Sequence, residues 1–135
     1  MIPIHLIHIL LLQEVELLTN SIQQLQSARN KYQESGDCVE KQTSVKENTD
    51  VLVPLSGSMY VPGTIMNTSK FVVDIGTGYF VQKDAATAAD FFKRKVTFLQ
   101  DQIEKYVKIV QEKAAVRETI YATIQRQSVE MQRNE

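Results

Sequence analysis

The sequence predicts an α+β fold in which two long helices pair as an antiparallel coiled coil and are joined by two β-hairpins. Three observations predict it. Apolar residues repeat at heptad spacing in both halves of the chain, strand and turn signals are confined to the middle, and those few strands cannot form a stable core alone. We expect one domain over residues 1–135, with helix 1 at about 4–48, the hairpins at 50–82 and helix 2 at about 85–132.

The first helix is predicted from apolar residues that step by four and three along one face. The series is Leu11, Val15, Leu18, Ile22, Leu25, Arg29 and Tyr32. Arg29 in this series, and Lys113 and Arg117 in the second helix, interrupt the apolar seam. These cations loosen the seam or set its register through neighbouring glutamates, or they extend to solvent as ordinary seam defects. Gly36 weakens this helix, and the polar stretch from Glu40 to Asp50 indicates where it ends.

The hairpins are predicted from β-branched and aromatic runs separated by glycine-containing turns. The predicted strands are Val51–Leu55, Met59–Thr64, Phe71–Ile75 and Tyr79–Val81. Pro54 and Pro62 cannot donate ladder hydrogen bonds, so they belong at strand edges or ends. Exposed strand edges are templates for other chains, so these strands are the expected subunit interface. The interface residues are Val51, Leu52, Val53, Met59, Tyr60, Val61, Phe71, Val72, Val73, Ile75, Tyr79, Phe80 and Val81.

The second helix is predicted from a longer heptad series, with Asp84 as its N-cap. Its seam is Phe92, Val96, Leu99, Ile103, Tyr106, Val110, Lys113, Arg117, Ile120, Ile124, Gln127 and Met131. Antiparallel pairing with helix 1 brings both chain termini to the end that is distant from the hairpins.

Composition argues against several classes of function. The formal net charge is −1, with 15 basic and 16 acidic side chains interspersed, so no nucleic-acid partner is expected. The single cysteine, Cys38, excludes an intramolecular disulfide and, with only two histidines, a Cys/His zinc cluster. A reducing cytoplasm fits this composition best, with a nuclear role left open.

No residue set indicates catalysis, a cofactor or a metal. Val81 occupies the place of the third glycine that a dinucleotide loop would need after Gly76 and Gly78, so the two glycines indicate a hairpin turn. His5 and His8 are interpreted as helix-surface histidines rather than a metal pair. No nucleophile, base and orienting group can be assembled from the sequence, so we do not expect an enzyme.

The opening run from Met1 to Leu12 is almost entirely apolar. It lacks the basic region and the small-residue cleavage site of a signal peptide, and it is shorter than the roughly 20 residues of a membrane span. No membrane partner is therefore expected. Asn67-Thr-Ser69 matches a glycosylation acceptor but is interpreted as a polar loop.

Several short motifs resemble the α-class subunits of prefoldin, the eukaryotic ones in particular, over residues 13 to 127 or so. They are Gln13-Glu-Val-Glu16, Ser21-Ile22, Val53-Pro-Leu55, Ser58-Met-Tyr-Val-Pro-Gly63, Asp74-Ile-Gly-Thr-Gly-Tyr79 and Phe91-Phe-Lys-Arg-Lys95. Two hairpins between the helices are typical of the α class, whereas β-class subunits have one.

The resemblance implies an α2β4 hetero-hexamer with other prefoldin subunits, in which the hairpins form a β-barrel platform. It also implies an ATP-independent holdase, whose coiled-coil tips capture unfolded actin and tubulin and deliver them to the cytosolic chaperonin. The tip residues expected to contact clients are Ile4, Ile7, Leu11, Ile120, Ile124 and Met131. The alternative is a coiled-coil scaffold or transcriptional adaptor of a prefoldin-like complex.

The sequence departs from the family pattern at two places. Gln82 stands where the family usually has glutamate. The run from Met1 to Leu12 replaces mixed polar and leucine heptads. The favoured interpretation is that this N-terminal run is an incorrect or variant start of the sequence. The alternative is that the tip of the coiled coil is unusually adhesive.

Overall fold

The computed structural model describes residues 3–135 and contains two long helices and four strands. The elements are α1 (Ile4–Thr43), β1 (Thr49–Pro54), β2 (Tyr60–Ile65), β3 (Lys70–Gly76), β4 (Tyr79–Asp84) and α2 (Ala85–Arg133). This arrangement confirms the predicted helix–hairpins–helix plan. Expectations for Met1 and Ile2 lie outside the described residues.

The chain divides into two compact units, each of which contains part of both helices. Unit 1 comprises Met1–Ala28 and Phe98–Glu135, and unit 2 comprises Arg29–Thr97. Both hairpins therefore belong to unit 2. In the described part of the chain, neither helix combines the length and the apolar character needed to cross a membrane.

In unit 1 the two helices pair antiparallel through the predicted heptad seam. The rings of His8 and Tyr121 lie 5.8 Å apart, and Lys113 Nζ donates to Glu14 Oε2 at 2.6 Å. Ile22 and Ile103 are buried between the helices, as heptad spacing predicts. Among the seam cations, Lys113 forms an ion pair between the two helices, with the exposed carboxylate of Glu14.

The seam ends earlier on α2 than its sequence pattern predicts. The register set by the His8–Tyr121 contact places Ile4 across from Ile124. Gln127 and Met131, expected in the seam, are exposed in the described chain. Heptad spacing alone therefore does not bury these two side chains.

In unit 2 the helices also run antiparallel and are joined to the second hairpin by a small core. Tyr32 and Phe92 have ring centroids 6.4 Å apart, and a Cβ built on Gly36 would lie 3.4 Å from the Phe92 Cβ. A larger side chain at Gly36 would push the helices apart. The core consists of Val39, Val73 and Ala88, surrounded by Phe71, Ala89, Phe91 and Phe92.

α1 ends at Thr43 rather than near residue 48. The hydroxyl of Ser44 donates to the Lys41 carbonyl. This hydrogen bond satisfies one of the carbonyl groups that lack a partner at the end of a helix. Asn48 adopts a positive φ of 62° and its amide donates to the Ile65 carbonyl. Asparagine tolerates this left-handed conformation, which turns the chain directly into β1.

The strands form two separate antiparallel pairs, β1 with β2 and β3 with β4. In the first, Val51 lies across from Gly63, and Val53 across from Val61. In the second, Val73 lies across from Val81, and the turn uses positive φ at Gly76, Thr77 and Gly78. This assignment confirms the interpretation of the two glycines as turn residues.

Asp84 caps α2 as predicted, since its Oδ1 accepts from the Thr87 amide at 2.8 Å. Hydrogen bonds from Thr87, first from its hydroxyl and then from its amide, lower the pKa of Asp84, and the Lys83 charge adds to this effect. A lowered folded pKa means that the ionised carboxylate stabilises the fold. The helix dipole favours the same charge at this end.

We predict that Asp84 contributes an acid-sensitive increment of stability. The increment is present above the ordinary aspartate pKa of about 4 and is lost as the pH falls through the lower folded pKa. Asp84→Asn keeps a capping oxygen but cannot titrate. Thermal melts of both proteins over a pH series should therefore show a wild-type advantage that shrinks with acidification. A constant difference across the series would contradict this role.

Burial of Ile103 gives a second prediction, because it is only 4% exposed. Ile103→Ala should lower the free energy of unfolding by about 2–4 kcal/mol, since it leaves a cavity between the helices. Gln111→Ala, at an exposed position of the same helix, is the control and should change it by less than about 0.5 kcal/mol. Denaturant unfolding measures both, and equal midpoints would argue against a buried seam at Ile103.

Candidate interaction surfaces on the hairpins and helix ends

The second hairpin has one covered and one open face. Val73 is 5% exposed and packs against Val39 and Ala88, whereas its neighbour Val72 is 71% exposed. Successive strand residues point to opposite faces, so Val72 and Phe80 share the open face. Two large apolar side chains in water on one face indicate a surface that another sheet or chain covers.

The first hairpin is open on both faces. Leu52 and Tyr60 are exposed on one face, and Val53 and Val61 on the other. Gly63 lies beside the second group, and a Cβ there would be 3.3 Å from Val53 Cγ2, so the glycine leaves room for the valines. A hairpin with apolar residues on both faces and no core of its own is marginal in water.

Every strand of the described chain also has an unpaired edge, because each sheet contains only two strands. Unpaired amide and carbonyl groups in a row can pair with strands of another chain. Open apolar faces and open edges occur on the same segments. The hairpins are therefore suited to joining a larger sheet.

Most of the predicted interface residues are placed where a partner could reach them. Leu52, Val53, Met59, Tyr60, Val61, Val72, Ile75, Tyr79, Phe80 and Val81 are exposed, and Val51 and Phe71 are half-buried. Val73 is the exception, because it is already buried against both helices and stabilises the chain itself. The assignment of the others to a subunit interface stays a prediction.

The predicted client-contact residues divide between the seam and the surface. Ile4, Leu11, Ile120 and Ile124 are half-buried at seam positions. Ile7 and Met131 are exposed. The predicted client-facing surface spans residues near Ile2 to Leu10 and Ile120 to Met131, but the exposed apolar residues between the seam positions were not singled out, and the outer heptad positions could have identified them. They are Leu6, Ile9, Leu10, Leu12, Leu17, Tyr121 and Val129.

The described residues contain no group of three or more histidine, cysteine, aspartate or glutamate side chains that could hold a metal ion. Cys38 is a free, exposed thiol. Phe91 is flanked by two ammonium groups, with Lys83 Nζ and Lys95 Nζ 5.3 and 5.7 Å from its ring centroid. Both ammonium groups are close enough to the ring for cation–π interactions.

These surfaces define a class of protein: a coiled-coil subunit whose central hairpins are open to other strands. The sequence model described as "Prefoldin: Prefoldin subunit" matches residues 11–130. The chain therefore belongs to the prefoldin subunit family, which is a family of chaperone subunits.

Individual comparisons agree with this assignment. Human prefoldin subunit 5 is 45% identical over 108 residues, which cover 80% of this chain and 70% of the human protein. Prefoldin subunit alpha of Archaeoglobus fulgidus is 25% identical over 103 residues, covering 76% and 75%. In fold, the chain resembles the filamentous PFD of Methanocaldococcus jannaschii, with a TM-score of 0.73 and 18% identity over 84% of this chain and 93% of that one.

Proposed function

We propose that the chain is one subunit of an α2β4 prefoldin hexamer, an ATP-independent holdase of the cytoplasm. In this proposal the complex captures unfolded polypeptides such as actin and tubulin and delivers them to the cytosolic chaperonin. The observation that carries the proposal is the pair of open hairpins, whose apolar faces and unpaired edges have no use in an isolated chain. Family membership supports the same conclusion.

Closure of the hairpins into a barrel with those of other subunits would cover the apolar faces and pair the strand edges at the same time. A closed sheet has no free edges, and its interior covers one face of every strand. Burying one large apolar side chain contributes about 1.5–3 kcal/mol. The exposed Val72 and Phe80 would then stabilise the assembly rather than the single chain.

Substitutions at Val72 and Val73, which are adjacent on β3, distinguish an effect on assembly from an effect on folding. Val72→Asp should abolish co-purification of co-expressed β-class partners, because it places a charge on the open face, while circular dichroism and the melting temperature of the chain change little. Val73→Asp should instead lower the melting temperature, because it places the charge among Val39 and Ala88.

Val116→Asp, at an exposed position on α2, is the matched control and should leave co-purification intact. Partner recovery with Val72→Asp equal to that with Val116→Asp would refute the open face as the subunit interface.

The surface proposed for client capture is the last part of α2. Among the described residues, Val129 and Met131 are exposed there. Methionine is flexible and polarisable, so it can pack against unrelated apolar sequences. Six such weak contacts in one complex would act together through multivalency.

Replacing Val129 and Met131 with serine should weaken capture without affecting assembly. We expect the complex to form normally but to suppress aggregation of denatured actin less well, with a modest loss because other subunits still contribute. Serine at Gln127 and Gln132, both exposed, is the control. Full protection by the Val129 and Met131 variant would show that this surface does not bind clients, and binding of only a few folded proteins would favour a scaffold.

A further inference from the structure

The backbone hydrogen bonds of the first hairpin can be assigned residue by residue from its turn. The Leu55 amide donates to the Met59 carbonyl at 2.8 Å, so these two residues form a hydrogen-bonded pair beside the turn. Hydrogen-bonded and non-hydrogen-bonded pairs alternate along an antiparallel ladder, and the register from Pro54–Tyr60 onward has no shift. Pro54 and Tyr60 are therefore a non-hydrogen-bonded pair, which agrees with the missing amide hydrogen of proline.

The same alternation assigns the pairs that lie farther from the turn. Leu52–Pro62 and Asp50–Thr64 are both non-hydrogen-bonded pairs. Thr64 Oγ1 donates to Asp50 Oδ1 at 3.3 Å, in keeping with the close approach of side chains at such a pair. At these positions the backbone amides and carbonyls point away from the other strand. The outer edge of β1 is thus formed by Asp50, Leu52 and Pro54, and the outer edge of β2 by Tyr60, Pro62 and Thr64.

The two outer edges differ in where proline removes a donor. On β2, Pro62 lies in the middle of the edge, so no two consecutive outward residues both donate. On β1, Pro54 is the last residue of the strand, so Asp50 and Leu52 donate in succession. Proline also places its ring where an incoming strand would lie. Only β1 therefore offers an uninterrupted edge over most of its length.

The β1 edge is open in the described chain, where β1 pairs with β2 alone. Asp50 is exposed, and Leu52 is 68% exposed. A row of unpaired amides and carbonyls fits one kind of occupant, an extended strand, whose own donors and acceptors repeat at the same spacing. The family match indicates the source of that strand, because the members of this family are subunits of larger complexes.

We propose that the first hairpin forms its continuous ladder with a strand of a neighbouring prefoldin subunit at β1, and that Pro62 interrupts the ladder on the β2 side. The assignment of β1 rests on the proposed function and deepens it, because neither the family match nor the exposed apolar faces distinguish the two edges. Leu52 is then the central donor of the accepting edge. A barrel closed from such hairpins has its weakest ladder beside β2.

Proline at Leu52 tests the accepting edge. Leu52→Pro removes an outward donor but takes no amide from the ladder with β2. Leu52→Ala is the matched control, because it removes the same apolar side chain and keeps the amide. We expect recovery of co-expressed β-class partners with Leu52→Pro to be roughly tenfold or more below that with Leu52→Ala, since the incoming strand loses a hydrogen bond and meets the proline ring.

The same comparison at Thr64 tests the β2 edge. Thr64→Pro and Thr64→Ala both remove the hydroxyl that bonds Asp50, and only the first removes the outward amide. Because Pro62 already interrupts this edge, we expect the two variants to recover partners equally. Thr64→Pro also shows whether a new proline at a non-hydrogen-bonded position disturbs the hairpin itself, a position that Pro54 and Pro62 already occupy.

Hydrogen exchange resolved to single amides gives a second measurement without any substitution. On assembly with partner subunits, the Leu52 amide should exchange roughly tenfold or more slowly than in the isolated chain, because it becomes bonded to the incoming strand. The Thr64 amide should be slowed less.

Equal partner recovery with Leu52→Pro and Leu52→Ala, or stronger protection of Thr64 than of Leu52, would overturn the assignment of β1 and leave the hexamer in place. Protection of Leu52 in the isolated chain as its concentration rises would overturn it too, because a second copy would then occupy the edge. The proposed function fails differently, by the absence of partners from the unsubstituted chain, and the assignment of β1 would fail with it.

Discussion

Burial of Val73 against Val39 and Ala88 is the contact on which the arrangement of unit 2 depends. It attaches the second hairpin to both helices, and strand alternation then decides the rest. With Val73 turned inward, Val72 and Phe80 must face outward. The chain thus stabilises itself with one face of this hairpin and leaves the other face exposed.

The pairing of the two helices combines apolar burial with an ion pair. Apolar seam positions such as Ile22 and Ile103 supply the burial, but a heptad seam can slip by one repeat with little loss of apolar contact. The ion pair between Lys113 and Glu14 is formed at one alignment of the helices in unit 1. Its energy is small because both side chains are partly exposed, yet slippage would leave Lys113 at a seam position without its carboxylate.

Exposed apolar surface is therefore distributed between two units with different consequences. On the hairpins it accompanies unpaired backbone edges, which favour permanent assembly through strands. Along the helices the backbone groups between the first and last turns are bonded within the helix, so contacts there rest on side chains.

The sequence by itself determined the elements, because their signals are local. Heptad spacing defined the two helices, β-branched runs the strands, and Asp84 the start of α2. Only the tertiary structure decided which side chains these elements cover. Alternation shows that Val72 and Val73 face opposite ways, but the packing of Val39 and Ala88 decides which one is buried. Likewise, the heptads of α2 continue to Met131, yet Met131 is exposed, because burial requires a neighbour that the local pattern does not contain.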